Sequence, residues 1–413
     1  MTPLNEPVKL PCGLVFPNRL VKAAMAESLA GSGNAPTPTF LEAYNQWGQG
    51  GWGGLLTGNV QVDVDHLGTP LDAAMHGEYS GKENNEALVG LWSQYATACQ
   101  RHGTPSIVQL CHPGRQSLRV AGRRGVFAPT IAPSAIPLQL GDSMVQRLLS
   151  WLVFPPPREM TQGDIEKVTR QFVDASRLMA DSGFSGVELH GAHGYLLDQF
   201  LNPKSNKRTD AYGGSAENRA KFVVDIIHAI RKVVPETFAI GIKLNSADHS
   251  SDSFEDTMTQ IGLLMEAGID FLEVSGGSYE NPTMMGPEKS ARTVAREAFF
   301  IEFATEARKR FPGLVLMLSG GFRTRAGAES AIKQNACDII GIGRPAAVNP
   351  KLPLVFLDEK VSDEEAQMVL NRVPVPSFLR LIPLNVGAGL ETKYYADQIK
   401  RFAMGLKTFV PGI

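Results

Sequence analysis

Two histidines and a tyrosine crowd into the stretch Val-Glu-Leu-His-Gly-Ala-His-Gly-Tyr at 187–195. Val187 and Leu189 alternate with polar neighbours as a short strand does, so His190 falls where the strand stops and His193 and Tyr195 lie on the turn behind it. Three hydrogen-bonding side chains thereby converge in one loop. A close histidine pair can also hold a metal, but such a site needs further ligands and partners behind them. No Glu-x-x-His or cysteine companion stands nearby, so no metal is expected.

A second chemical signal is Lys243, in Gly-Ile-Lys-Leu-Asn, a charge on an otherwise apolar run. A buried lysine is costly without a partner, so Lys243 needs an anion. A Schiff-base lysine of an aldolase-type barrel also sits on a strand, and strand position alone does not separate that role from electrostatic service to a cofactor.

The elements that must position these residues are legible as eight apolar runs of strand length: Leu20 to Met25, Gly54 to Thr57, Ser106 to Leu110, Gly186 to His190, Ala239 to Leu244, Phe271 to Ser275, Val315 to Ser319 and Ile339 to Gly343. Amphipathic stretches lie between most of them. Ile165, Val168, Phe172, Ala175 and Met179 form one apolar helical stripe. Thr161-x-x-Asp164 reads as a capping box, Ser215 can cap the helix carrying Phe222, Ile226 and Ile230, and Pro235 closes it. Strand-helix alternation of this kind predicts an α/β fold, a (β/α)8 barrel over about 18–350 within one domain of 1–413. Pro11 to Pro17 reads as a hairpin plugging the barrel floor. The proline-rich segment Ser117 to Pro157 is too long for an ordinary connection and is expected to form a lid. The tail from Asp358 onward reads as helices outside the barrel.

Composition bounds the partners. With 413 residues and 43% hydrophobic content the chain can bury a large core, and a net charge of -2 gives no general attraction for nucleic acid or anionic membrane. Asn5, Glu6 and Lys9 interrupt any signal-peptide core, and no stretch is apolar enough to span a bilayer. A cytoplasmic enzyme acting on small molecules is expected. Cys12, Cys99, Cys111 and Cys337 are too dispersed for a disulfide framework.

In a barrel of this kind the chemistry sits at the C-terminal mouth. There the strand ends carry Asn59, Gln109, His112, His190, Lys243, Ser275, Ser319 and Arg344, with Arg115 close by. Ser319-Gly320-Gly321 and Gly341-Ile342-Gly343-Arg344 end strands seven and eight, the loops that commonly bind phosphate. Glycine lets backbone N–H groups close on the oxygens and Arg344 adds charge. Glycines at strand ends otherwise only make turns; the two sets together in these loops favour phosphate.

The 187–195 loop, followed by Gly-Gly-Ser-Ala-Glu-Asn-Arg at 213–219, resembles the Old Yellow Enzyme group of FMN-dependent ene-reductases, the NADH:flavin oxidoreductases, whose His-x-x-His/Asn-x-Tyr loop holds substrate above the flavin. The resemblance covers roughly Asn18 to Pro350. It implies that Lys243 lies against the flavin N1/O2 edge, that Gln109 hydrogen-bonds the pyrimidine, and that Asn59 contacts the same edge. Asn18-Arg19-Leu20-Val21-Lys22-Ala23-Ala24-Met25-Ala26 resembles the family's Asn-Arg-Ile-Val-x-x-Pro-Met motif. Ala24 stands in place of proline, and Ala26 stands where a threonine or cysteine often tunes the flavin; Ala24, Met25 and Ala26 keep their backbone contacts. The resemblance further implies that NADH or NADPH reduces the flavin, and that His190 and His193 bind the carbonyl oxygen of an enone or enal. Hydride then reaches the β-carbon, and Tyr195 protonates the α-carbon. Some relatives instead isomerise an enal or enone without net redox change; Tyr195 argues against that here. The loops 117–157 and 281–296 are expected to select the substrate.

Overall fold

The computed structural model describes residues 2–245, 251–275, 303–371, 373–376 and 386–412. The loop 281–296, expected to help select the substrate, lies outside them. Eight parallel strands follow one another around a closed ring: β1 (Leu20–Lys22), β2 (Gly54–Gln61), β3 (Ser106–Cys111), β4 (Gly186–Gly191), β5 (Ala239–Asn245), β6 (Phe271–Ser275), β7 (Leu316–Ser319) and β8 (Ile339–Ile342). Gly341 of β8 pairs with Val21 of β1, which pairs in turn with Gly54 of β2, and this closes the barrel. Chain order equals spatial order, as helical crossovers between parallel strands require.

The helices form where the apolar stripes place them. The helix Gln162–Asp181 carries a capping box in which Thr161 Oγ1 accepts from the Asp164 N–H and Asp164 accepts from the Thr161 N–H. It buries Ile165, Val168, Phe172, Ala175 and Met179 against the barrel. Ser215 caps the helix Ala216–Arg231, which stops short of Pro235. The tail supplies the helix Val386–Ala403, and Phe402 packs edge-on against Trp47 of the helix Pro38–Gly48 at 5.1 Å between ring centroids. No helix among the described residues is long and apolar enough to cross a membrane.

Inside the ring the side chains change character along the strands. The hairpin Val8–Lys9/Val15–Phe16 covers the floor. Its Val8, Leu10 and Phe16 join Val21, Leu56, Ile107, Ala239, Phe271, Met317 and Ile339 in a sealed apolar layer. Successive strand residues face opposite ways, so the next inward positions are Gln109, Glu188, Gly241 and Glu273, followed by His190, Lys243 and Ser275. Gly241 is required: a Cβ there would sit 2.1 Å from the Phe271 ring.

Two strand boundaries differ from the sequence reading by more than one residue. β1 ends at Lys22, which puts Ala24, Met25 and Ala26 in the loop after it, and β2 runs on to Gln61, so Asn59 is a strand residue. A register shift between Leu56 and Asn59 lets β2 continue past Gly58. Gly58 itself is needed because a Cβ would meet Glu27 Oε2 at 2.0 Å and Met25 O at 2.2 Å.

The segment Ser117 to Pro157 contains a short parallel pair, Thr130–Ala132 with Pro157–Glu159, and the helix Met144–Val153. Met144, Val145, Leu148 and Trp151 of that helix are exposed.

Thr161→Ala removes the cap of the Gln162–Asp181 helix and should lower unfolding free energy by about 1 kcal/mol, read by chemical denaturation. An unchanged midpoint would show that the cap adds nothing to the packed stripe.

Candidate functional site

The loop after β4 brings the predicted trio together. His190 is buried, and its Nδ1 accepts from the Ala192 N–H at 3.3 Å, which leaves the proton on Nε2. The His190 ring lies 5.0 Å from His193 and 4.6 Å from Tyr195, centroid to centroid, edge-to-face in both cases. His193 adopts a left-handed backbone, φ 61°, and three bonds hold it there. Its N–H donates to Asn245 Oδ1 (3.2 Å), its carbonyl accepts from Gln116 Nε2 (2.8 Å), and its ring Nε2 lies 3.0 Å from Ser275 Oγ. Asp198 fastens the turn by accepting from the Gly194 N–H (2.6 Å) and from Asn245 Nδ2 (2.8 Å). Tyr195 starts the helix Leu196–Leu201, and its hydroxyl accepts from Asn59 Nδ2 at 3.5 Å.

Burial holds both imidazoles well below the ordinary histidine range. Lys243 adds to this for His190, and His190 followed by Lys243 adds to it for His193. Both rings are therefore neutral near pH 7 and can serve as hydrogen-bond partners without bringing charge.

Beneath this loop lies a charged layer. Lys243 Nζ is 2.7 Å from Glu273 Oε1, with both side chains buried, and Gln109 Nε2 donates to Glu188 Oε1 at 2.6 Å. Lys243 sits in register with His190 on one side and Glu273 on the other. The anion that Lys243 needs is thus Glu273, a residue sequence reasoning passed over although it too is a charge within an apolar strand. An amine held in such an ion pair is a poor nucleophile, which removes the support for a Schiff-base role.

At the ends of β7 and β8, Gly320 (φ 114°) and Gly321 (φ 83°) hold conformations that side chains strain. Gly343 precedes the short helix Arg344–Val348 with no side-chain cap. Arg344 Nη1 binds Glu391 Oε1 at 3.1 Å. Burial and then the neighbouring Arg344 lower the Arg323 guanidinium's affinity for its proton, and Arg323 Nη1 donates to the Leu370 carbonyl at 3.2 Å. Arg323 is a second cation that the sequence reading missed. Met25 closes the same corner, with its Sδ 3.6 Å from a Cβ position at Gly343.

His112 and Arg115 stand in the wall beside the trio. Arg115 Nη1 donates to the carbonyls of Ile136 (3.3 Å) and Pro137 (3.4 Å) in the long insertion. His112 joins Asp63 and His66 in a buried group with metal-like spacing. Its Nδ1, however, accepts from the Gly114 N–H at 3.0 Å, which puts the proton on Nε2, 3.9 Å from Asp63 Oδ2. A protonated nitrogen is not a metal ligand, and this one makes no hydrogen bond among the described residues.

Removing one member of the buried ion pair strands the other. Lys243→Met should cost about 3–5 kcal/mol of stability, and Lys243→Met with Glu273→Gln should recover most of it, both read by denaturant unfolding. Equal stability of the single variant and the parent would contradict the pairing.

The profile of the NADH:flavin oxidoreductase / NADH oxidase family matches residues 3–361. The NADH-dependent flavin oxidoreductase iliE of Hypocrea jecorina is 44% identical over 380 residues, covering 91% of this chain and 94% of that one. Its namesake iccE of Talaromyces variabilis is 43% identical over 409 residues, 97% and 98% of the two chains. The Neonectria iliE is 49% identical over 357 residues and 84% of this chain, which spans only 46% of that longer protein. Morphinone reductase shares the fold at 23% identity with a TM-score of 0.70, over 87% of this chain and 90% of its own. The Old Yellow Enzyme homologue of Zymomonas mobilis does so at 23% identity and 0.69, over 88% and 96%. The chain belongs to the NADH:flavin oxidoreductase / NADH oxidase family, and is an FMN-binding flavin oxidoreductase.

Proposed function

We propose that this oxidoreductase reduces the activated C=C bond of an α,β-unsaturated ketone or aldehyde at the expense of NADH or NADPH, in the cytoplasm. The observation that carries the reading is the pair of neutral imidazoles and the phenol packed edge to face at the barrel mouth, in register with a buried lysine. The names of the relatives favour NADH as the reductant.

The residues fit FMN. Gln109, Asn59 and the backbone of Ala24, Met25 and Ala26 would hold the ring's polar edge, with Lys243 beside its N1 and O2. Gly320, Gly321, Gly343 and Arg344, joined by Arg323, would hold the phosphate through unstrained close approach and positive charge. Bound FMN supplies the two-electron carrier between nicotinamide and alkene.

His190 and His193 would hydrogen-bond the substrate carbonyl, and those bonds strengthen as negative charge grows on the oxygen. Their low proton affinity suits this role, since a neutral N–H donor does not surrender its proton to the oxygen. Tyr195 would protonate the α-carbon. Its hydroxyl accepts from Asn59, and a substrate enolate is basic enough to take the phenolic proton despite the high pKa of a phenol. A built-in proton donor favours net reduction over redox-neutral isomerisation. The insertion 117–157, tied to the site through Arg115, is proposed as the lid that shelters this chemistry from water.

Tyr195→Phe separates the two half-reactions. Flavin reduction by NADH should proceed as in the parent, while reoxidation by cyclohexenone should slow roughly 100- to 10,000-fold, both followed by stopped-flow absorbance. Reoxidation as fast as in the parent would remove Tyr195 as the donor. Lys243→Met should separately reduce FMN retention, read as bound flavin per protein, and full flavin content in a folded variant would take Lys243 out of the cofactor site.

A further inference from the structure

Lys243 is the one cation among the described residues that faces two buried carboxyl groups. Glu188 and Glu273 are both fully buried, and their side chains meet as hydrogen-bonding neighbours. Glu188 Oε1 accepts from Gln109 and Glu273 Oε1 pairs with Lys243 at 2.7 Å; the contact between the two acids becomes a hydrogen bond only when one of them carries a proton. Ser319 Oγ, buried on the Glu273 side, favours the ionised form of that acid. The other groups around the layer are His190, neutral and in register with Lys243, and Lys22 on β1. Lys22 is directed outward, and its Nζ donates to Leu56 O at 2.8 Å.

Two adjacent carboxylates in a water-poor interior cannot both ionise against a single lysine. Burial and the neighbouring Glu273 push the Glu188 carboxyl well above the usual carboxylate range. Burial also pushes Glu273 up, but Lys243 and the hydrogen bond from Glu188 outweigh it and hold Glu273 below that range.

We infer that Glu188 and Glu273 share one proton, held on Glu188, so that Glu188, Glu273 and Lys243 together carry no net charge and Glu273 sets how much of the lysine's charge the flavin feels. Glu273 is thereby a positioning residue for the redox centre, and Glu188 is its neutral hydrogen-bond donor. The second half of this inference rests on placing Lys243 at the flavin's pyrimidine edge; the shared proton does not.

The two halves are read separately on the FMN-loaded enzyme. Infrared spectra in H2O and D2O should contain a deuterium-sensitive carboxylic-acid C=O band near pH 8 that disappears in Glu188→Gln. Absence of such a band in the wild-type enzyme, which needs no substitution, overturns the shared proton, as does a band set unchanged in Glu188→Gln. The flavin midpoint potential should stay near the parent value in Glu188→Gln, because glutamine imitates the protonated acid. It should rise in Glu273→Gln, where the lysine loses its counter-charge, and fall in Lys243→Met. Equal shifts in Glu188→Gln and Glu273→Gln would overturn the division of roles. A Glu188 band alongside an unmoved potential in Lys243→Met would reject the lysine's place at the flavin while leaving the shared proton standing.

Discussion

Closing eight parallel strands into a ring forces every second residue of each strand into one common interior, and that constraint sets where chemistry can occur. The lower inward positions are filled by hydrocarbon and sealed by the hairpin. One step higher stand Gln109, Glu188 and Glu273, and a step above them Lys243, His190 and Ser275. The apolar floor excludes water from beneath the charged layer, so each charge there must be met by another side chain. The mouth residues then inherit their protonation states from that layer: neutral imidazoles form over a fixed cation because both burial and Lys243 disfavour a second positive charge.

The same logic explains the supports around the trio. His193 holds a left-handed backbone that only its three partners, Asn245, Gln116 and Ser275, make worth keeping. They come from β5, the loop after β3, and β6, so the turn's shape reports the alignment of separate strands. Asp198 ties the turn to Asn245, and Asn59 meets Tyr195 from β2. The trio is sequential in the chain, but its geometry belongs to the whole mouth.

This difference accounts for what the sequence discloses. The eight strands, the capping box at Thr161 and the trio are local patterns, and period and spacing suffice to find them. Glu273 carried the same local signal as Lys243, a charge inside Phe-Leu-Glu-Val-Ser, and its partnership becomes visible once the parallel register of β5 and β6 is known. Asp198, Asn245 and Arg323 act through register and loop closure and have no such signal. The apolar run of strand two stops at Thr57, so the pattern gave no sign that the strand itself reaches Asn59; the shifted register of β2 carries it there. Asp63 and His66 lie beyond the end of β2, and their burial against His112 depends on how the β2 and β3 loops pack.

The central claim is that two neutral imidazoles held over a buried lysine bind the oxygen of the substrate. A phenol added to the oxidised, FMN-loaded enzyme is the most direct probe, because a phenolate held by His190 and His193 against the flavin gives a long-wavelength charge-transfer absorbance. The band should appear on titration of the parent, and His190→Ala and His193→Ala should each weaken or abolish it with FMN still bound. A band of the same intensity and affinity in both variants would contradict it.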